Sequence, residues 1–173
     1  ANMDSIPLVC FTGQVGTPLI GRDAFQEADI TGITMPITKH NYVVERTEDV
    51  ARTVKEAFYI ASTNRPGPVV VDLPKDVMER SIDYKPEEVE VNLRGYRVMK
   101  GYNSGQVISA VELIKTAKRP VIYAGGGVIS SNAAEELREL ALKRKIPVTT
   151  TLMGMGAFPG NNYLNLGMLG MHG

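Results

Sequence analysis

Short apolar runs alternate along the chain with segments in which apolar residues recur at helical spacing. The runs at residues 6–11, 69–73, 121–124 and 147–151 are short and bounded by turn residues, and so predict buried strands. Strands that alternate with amphipathic helices are typical of a parallel sheet covered by helices. The pattern therefore predicts an α/β fold with parallel sheets flanked by helices.

Polar capping residues precede the helical segments. Asp23 can cap a short helix in AFQEADI, and Ser104 can cap one with Val107, Ala110, Val111 and Ile114 on one face. Thr47 can cap a longer helix whose inward positions are Val50, Val54, Ala57, Phe58 and Ala61. A last helix is expected to begin near Ser131 or Asn132, with Leu137, Leu140 and Ala141 facing inward.

Residues 77–103 are charged and show no sustained period, which predicts a linker across the surface. It separates residues 1–76 from residues 104–173. Each side shows only two or three strands, fewer than a complete sheet usually has. We therefore expect a fragment that contains parts of two Rossmann-like three-layer domains joined by a linker.

Composition excludes several classes of protein. Hydrophobic residues make up 43% of the chain, enough for a core, and 19 basic residues balance 19 acidic ones. This balance gives no reason to expect nucleic acid or a membrane surface as partner. The single cysteine, Cys10, lies in an apolar run and is expected to be a buried thiol. No targeting segment or apolar run of membrane-spanning length is visible, which favours an intracellular, cytoplasmic protein.

Two glycine-containing stretches follow predicted strands. In YAGGG, the glycines Gly125, Gly126 and Gly127 precede a helix, where backbone amides can approach a phosphate. The spacing is not that of the dinucleotide fingerprint, so the loop can equally serve only to turn the chain. In TGQVGTPLIGRDAFQE, Gln14 and Gln26 stand where a ligand crevice is expected, or else satisfy loop backbone and solvent.

ITKHNY supplies Lys39 and His40, which we place beyond a short β-like segment. Neither His40 nor His172 has neighbours at metal-ligand spacing, so structural roles are expected for both. Two histidines and one cysteine cannot form a zinc site of usual composition, and no hydrolase signature is present.

Taken in order, FTGQV, IGRDAFQEADI, ITKHNY, RPGPVVVDLPKD, YAGGG, TLMGMGAFP and LGMLGMHG resemble the catalytic subunits of acetohydroxyacid synthase, or acetolactate synthase. This is a family of thiamine-diphosphate-dependent enzymes. The resemblance spans nearly the whole chain and is weak only between residues 77 and about 117. It implies the second part of a pyrimidine-binding domain, a linker, and the first part of a central FAD-binding domain.

The resemblance also implies roles for individual residues. Gln14 and Phe25 would line the active site, Gln26 would contact thiamine diphosphate, and Lys39 and Lys75 would lie near the access channel. A further set would hold FAD: Arg65, Gly125, Gly126, Gly127, Thr151, Leu152, Leu169, Gly170, Met171 and His172.

The implied reaction joins pyruvate to a second pyruvate or to 2-oxobutyrate, with loss of CO2, in branched-chain amino acid synthesis. FAD would perform no net redox chemistry. The activating glutamate would precede Ala1, and the motif for Mg²⁺ and diphosphate would follow Gly173, so the chain alone is expected to be inactive. A homodimer or larger homo-oligomer is implied, and a regulatory small subunit is a further possible partner.

Two other interpretations remain open at this point. One is a relative within the superfamily, such as glyoxylate carboligase, pyruvate oxidase or sulfoacetaldehyde acetyltransferase. The other is a non-catalytic nucleotide-binding module. A flavin spectrum would favour an enzyme of the superfamily, whereas a colourless protein that binds NAD would favour the module.

Overall fold

The computed structural model describes residues 1–85 and 89–173, and the chain divides into two compact units, residues 1–100 and 101–173. In the described residues of the first unit, three strands form a parallel sheet in the order β1-β3-β2. The elements are β1 (Leu8–Gln14), α1 (Ile30–Thr34), β2 (His40–Val43), α2 (Val50–Ser62), β3 (Pro68–Pro74) and α3 (Lys75–Glu79).

The central strand β3 carries the core of the first unit. Val69 and Val71 are fully buried and pack with Val44, Ala57, Ile60, Ala61 and Val77. The predicted buried strand at residues 6–11 is wrong in part, because β1 is an edge strand on which Leu8 and Phe11 are 43% and 51% exposed. Cys10 is half-buried. An edge strand has only one neighbour to cover it, so its apolar residues are less buried than those of β3.

Helix α2 confirms the predicted helix but shifts its buried face. Ala57 and Ala61 are buried as expected, together with Thr53, Glu56 and Ile60, whereas Phe58 is 57% exposed. A residue adjacent to Ala57 lies about 100° further around the helix, outside the stripe that faces the sheet. The prediction that Thr47 caps α2 is wrong as well. Asp49 is the residue before the helix, and the Thr47 hydroxyl donates to the carbonyl oxygen of Val77 at 2.8 Å instead of accepting from a helix amide.

The predicted helix in AFQEADI does not form. Asp23 and Gln26 have positive φ angles of 53° and 64°, which a right-handed helix cannot accommodate. Helix α1 instead begins at Ile30, where the Asp29 carboxylate accepts a hydrogen bond from the Gly32 amide at 2.8 Å. Residues 20–29 therefore form a loop between β1 and α1.

Part of the predicted linker packs on the first unit. The described residues of 80–100 form no helix or strand, yet Leu93 and Tyr96 pack against the first core. Asn64 donates to the Arg97 carbonyl at 3.0 Å and accepts from the Met99 amide at 3.1 Å. The assignment of residues 1–76, 77–103 and 104–173 to domains of a longer protein stays a prediction.

The second unit contains a parallel sheet in the order β4-β5-β6 among its strands. The elements are α4 (Ser104–Thr116), β4 (Ile122–Ala124), α5 (Gly126–Ser130), α6 (Ala134–Arg144), β5 (Val148–Thr150) and β6 (Asn165–Met168). The core contains Ala124, Ala141, Val148, Phe158 and Leu164.

Three details of this unit differ from the sequence prediction. Asn103, and not Ser104, caps α4, since its side-chain oxygen accepts from the Gln106 amide at 3.1 Å. Helix α6 has no side-chain cap, and Leu140 is 39% exposed. Strand β6 was not predicted, because it is only four residues long and contains Gly167 with a positive φ of 74°.

Candidate functional site

A cleft of about 480 Å³ opens at the carboxyl edge of the first sheet. Gln14 is the last residue of β1, and Asp72 lies near the end of β3, where parallel strands place ligand-binding groups. The remaining lining comes mainly from the loop before α1 and from α1 itself: Ile20, Gly21, Asp23, Glu27, Ala28, Asp29, Ile30 and Thr31, with Val43 from β2. Gln14 is thus placed in a cleft, as its position after a strand predicted.

Hydrogen bonds fix the side chain of Gln14. Its Nε2 donates to the Ala28 carbonyl oxygen at 2.8 Å and to Asp72 Oδ2 at 2.9 Å, and its Oε1 accepts from the Val15 amide at 2.9 Å. These bonds connect β1, β3 and the loop before α1. Gln14 therefore has a defined orientation at the edge of the sheet.

Glu27 organises the loop that carries Phe25 and Gln26. Its carboxylate accepts from the Ala24 amide at 2.9 Å and from the Gly21 amide. These amides, with that of Ala24 the strongest, hold the pKa of Glu27 below its usual range. Gln26 keeps a left-handed backbone, a conformation that costs about 1–2 kcal/mol for a residue with a side chain. The ordered carboxylate stabilises this strained loop.

Phe25 and Gln26 lie on the loop but not in the cleft. The side chain of Phe25 is 89% exposed, Gln26 is also exposed, and neither lines the cavity. Their contacts with substrate and cofactor stay predictions. The structure does bring their loop and Gln14 together, through the bond from Gln14 to Ala28.

The cleft is rich in hydrogen-bond acceptors. Asp23, Glu27, Asp29 and Asp72 all line it, and its described lining includes no lysine or arginine. Such a lining favours a ligand part that is cationic or carries N–H donors, and disfavours phosphate. The sequence prediction missed these acids. One signal was present for Asp72, because a carboxylate in the apolar run VVVDL needs a nearby partner if the strand is central.

Lys75 follows β3 at the same edge of the first sheet. It is exposed, and its ammonium lies 3.7 Å from Glu79. The next residue, Asp76, accepts from the backbone amide of Thr17 at 2.8 Å and from its hydroxyl at 2.7 Å. Both bonds lower the pKa of Asp76 and tie the loop after β1 to α3.

Lys39 lies at the other end of the strands, where β2 and β3 begin. The prediction that Lys39 follows a strand is therefore wrong. Strand β2 begins at His40, and the Lys39 amide donates to Pro68 at the start of β3. Gln14 pairs with Pro74, six residues further along β3, so the two edges are roughly 20 Å apart at about 3.3 Å per residue. Lys39 and Lys75 therefore do not share one site within this unit.

The ammonium of Lys39 is also committed to the backbone. It donates to the carbonyl oxygens of Ile60 and, at 2.8 Å, Thr63, and lies 3.4 Å from the hydroxyl of Tyr96. These carbonyls belong to the end of α2, where a cation is favoured. Lys39 is a structural cation in this unit, not a residue of the cleft.

Arg65 precedes β3 and lies at this amino edge as well. Its Nε donates to the Ser5 hydroxyl at 2.7 Å, and its Nη2 donates to the Met3 carbonyl at 3.1 Å. The guanidinium is exposed. A contact between Arg65 and FAD stays a prediction.

The second sheet gathers most of the residues predicted to hold FAD. Strands β4, β5 and β6 are parallel, so their carboxyl ends meet at one edge. Gly125, Gly126 and Gly127 follow β4, Thr151 and Leu152 follow β5, and Leu169, Gly170, Met171 and His172 follow β6. Three segments far apart in sequence are therefore brought to one edge of one sheet.

The glycines at this edge have different roles. A Cβ on Gly154 would lie 2.4 Å from the Ala124 carbonyl oxygen, and one on Gly126 would lie 3.1 Å from Met153. These two glycines allow the loops after β4 and β5 to pack in contact. A Cβ on Gly127 would meet nothing within 4 Å. The predicted glycine loop is mostly the start of α5, with Gly125 at its N-cap.

His40 is exposed and packs edge-on against the Tyr42 ring, with centroids 4.5 Å apart. Within residues 1–85 and 89–173, no group of three or more His, Cys, Asp or Glu side chains is arranged to hold a metal ion. None of the helices described is both long and apolar enough to cross a membrane.

Comparison with known proteins identifies relatives of both units. Residues 107–173 match the family described as thiamine pyrophosphate enzyme, central domain. The acetolactate synthase large subunit of Buchnera aphidicola subsp. Schlechtendalia chinensis is 55% identical over 175 residues, which cover 100% of this chain and 30% of the relative.

Two further relatives are covered to a similar extent. The acetolactate synthase large subunit of Corynebacterium glutamicum is 53% identical, and the acetolactate synthase of Mycobacterium bovis is 56% identical, each over 174 residues. Both alignments cover 100% of this chain and 28% of the relative. The chain thus spans less than a third of the length of the curated relatives it matches.

Proposed function

We propose that the chain is a section of an acetolactate synthase catalytic subunit, because residues 107–173 match the family described as thiamine pyrophosphate enzyme, central domain, and the whole chain aligns with acetolactate synthases. The identity of 53–56% to three relatives with that name, over 100% of this chain, supports the proposal. The whole protein would join pyruvate to pyruvate or 2-oxobutyrate with loss of CO2.

The acceptor-rich cleft of the first unit is the observation that carries the proposal. Thiamine diphosphate combines an aminopyrimidine, a cationic thiazolium ring and a diphosphate. The oxygens of Gln14 and Asp29 suit the first two parts and not the third. We assign the cleft to the organic end of the cofactor, with Mg²⁺ and diphosphate held by residues outside this section.

When bound, thiamine diphosphate supplies the carbanion chemistry that neither substrate can supply alone. The residues of this section bind and orient. Gln14 presents a fixed amide oxygen, and Glu27 holds the loop with Phe25 and Gln26 at the rim. Lys75, exposed at the same edge, is placed to attract the carboxylate of an approaching 2-oxo acid.

We propose the carboxyl edge of the second sheet as one wall of an FAD site. A Cβ on Gly127 would meet nothing within 4 Å, so the chain after β4 leaves open space in which a flat or extended ligand can approach the backbone. Leu152, Leu169 and Met171 are exposed apolar side chains suited to a flat ring. Thr151 and His172 complete the edge. FAD would serve as a structural group.

The remaining expectations are also proposals for the whole protein. It would assemble as a homodimer or larger homo-oligomer, with a regulatory small subunit as a second partner. Its place would be the cytoplasm, or an organelle stroma or matrix in a eukaryote. Neither nucleic acid nor membrane is proposed as a partner, because 19 basic residues balance 19 acidic ones.

The experiment compares two proteins: the 173-residue chain, and the full-length protein that carries this section. Each is incubated with thiamine diphosphate, Mg²⁺, FAD and either pyruvate or glyoxylate. We expect acetolactate from pyruvate with the full-length protein and none with the 173-residue chain. Turnover by the short chain would refute its predicted inactivity. A full-length protein that condenses glyoxylate and not pyruvate would refute the proposed substrate.

A further inference from the structure

Asp72 is a buried carboxylate that the assignments above leave without a role in function. It is 1% exposed and lies in β3 among apolar residues. The ion pairs found among the described residues do not include it. Burying a carboxylate is costly unless hydrogen bonds compensate. The compensation comes from the Thr12 hydroxyl at 2.7 Å and from Gln14 Nε2 at 2.9 Å.

The partners of Gln14 determine which way its amide points. A carboxylate oxygen and a backbone carbonyl only accept hydrogen bonds, so the group facing Asp72 and Ala28 has to be the NH2. Both N–H donors are then used. The oxygen faces the Val15 amide at 2.9 Å and retains one free lone pair. Without Asp72, the Ala28 carbonyl and the Val15 amide would still favour this orientation, but one N–H of Gln14 would lose its charged acceptor.

We propose that Asp72 is a positioning residue that holds Gln14 with its oxygen as the only free hydrogen-bonding group toward the cleft. Thr12 fixes the other carboxylate oxygen, so the carboxylate cannot rotate freely away from Gln14. The register of β1 and β3 brings these side chains together, because it places Thr12 opposite Asp72 and Gln14 opposite Pro74.

This orientation restricts what Gln14 can bind. Its free lone pair accepts an O–H or N–H group, such as an amine of a ring or a hydroxyl. A 2-oxo acid at neutral pH offers only acceptor oxygens, so its carboxylate and carbonyl have to be held by other residues. Any effect of Asp72 on catalysis rests on the proposed function, whereas the orientation of Gln14 does not.

The orientation is tested by NMR on the 173-residue chain, with Gln26 and Gln106 as exposed internal controls. We expect the Gln14 side-chain amide protons to exchange with water at least about tenfold more slowly than those of the controls, as for a charge-assisted hydrogen bond. D72N should weaken this protection, because an amide oxygen is a weaker acceptor than a carboxylate, and T12V should reduce it less. Equal exchange of Gln14 and Gln26 in the unmodified chain would overturn the proposal, even if D72N fails to fold.

The catalytic consequence is tested in the full-length protein with D72N, Q14A and the double variant. We expect D72N to lower kcat roughly 10- to 100-fold with a smaller change in KM, and to add little in the Q14A background. Losses that multiply in the double variant would show that Asp72 acts independently of Gln14 and would overturn the proposal. Absence of acetolactate formation in the unmodified protein would refute the proposed function and leave the NMR result to decide the positioning role.

Discussion

The Lys39 ammonium donates to the Thr63 carbonyl oxygen at 2.8 Å, joining the residue before β2 to the residue that follows α2. The same ammonium reaches Ile60 and the hydroxyl of Tyr96. One cation therefore connects a helix end, a strand start and the segment at residues 89–100. The relationship explains why Lys39 is far from the cleft.

This role predicts a loss of stability for K39M. Removing the ammonium takes a charged donor from the carbonyl oxygens of Ile60 and Thr63 at the end of α2, and we expect a loss of about 1–3 kcal/mol in the free energy of unfolding. Urea unfolding followed by circular dichroism measures it. K75M is the matched control, because the contact that the described residues provide for the exposed Lys75 is a surface ion pair with Glu79, and its cost should stay below about 0.5 kcal/mol. Equal losses would contradict the structural role of Lys39.

E27Q should disorder the loop at residues 20–29 without unfolding the unit. A neutral amide oxygen is a weaker acceptor for the Ala24 and Gly21 amides, so their hydrogen exchange should accelerate at neutral pH. E139Q, on the exposed surface of α6, is the control. Unchanged exchange in the loop of E27Q would contradict the role of Glu27.

Acid should affect this loop in a defined direction. The pKa of Glu27 is lowered in the folded chain, so its contribution is fully present above the ordinary carboxyl pKa of 4.5 and is lost as the pH falls through the lower folded value. Amide exchange at Ala24, corrected for its intrinsic pH dependence, should thus stay constant from neutral pH down to about 4.5 and rise only in stronger acid. Loss of protection already near pH 6 would argue against carboxylate control.

Deprotonation of Tyr42 should lower the stability of the first unit at alkaline pH. Its hydroxyl donates to Glu56 at 3.1 Å, and burial, followed by the charge of Glu56, raises the pKa of Tyr42. A raised folded pKa means that stability is complete below the ordinary value of 10.0 and falls as the pH rises beyond it.

Y42F tests this limit by urea unfolding between neutral pH and about pH 11. We expect Y42F to cost about 1–2 kcal/mol at neutral pH and to show a shallower alkaline decline than the unmodified chain. Y163F, at a 74% exposed position in the second unit, is the control. Identical alkaline declines for Y42F and the unmodified chain would contradict the prediction.

Two glycine variants separate packing from ligand binding in the second unit. G154A places a Cβ 2.4 Å from a backbone carbonyl and should destabilise the unit by more than about 2 kcal/mol. G127A enters open space in a helix and should preserve or raise stability. In the full-length protein, G127A should weaken FAD binding as measured by flavin fluorescence. FAD binding unaffected by G127A would contradict the proposed flavin wall.

The alternation of apolar runs and helical segments was sufficient to predict parallel sheets and most helices. The pattern of apolar residues predicted the wrong structure where local polar contacts decide the backbone conformation. In AFQEADI, the Glu27 carboxylate accepts from backbone amides, and the segment forms a loop instead of a helix. Strand β6 could not be predicted, because it has only four residues and one of them is a glycine with a positive φ angle.

Site prediction was limited in a different way. Gln14 ends β1 and the residues at the carboxyl ends of the second sheet follow their strands, so their order in the sequence was enough to predict that they lie at strand ends. Their contacts with ligands stay predictions. Asp72 could not be assigned to Gln14 from spacing, because the two residues are 58 positions apart and meet only through strand register. Lys39 was misplaced because the strand begins at His40 and not before it.

The most direct test of the account is a crystal structure of the full-length protein with thiamine diphosphate and FAD bound. We expect the organic end of thiamine diphosphate within hydrogen-bond distance of Gln14 or the loop at residues 20–29. We expect FAD against Gly125–Gly127 and the segments that follow β5 and β6. Either cofactor bound away from these strand ends would refute the assignment of its site.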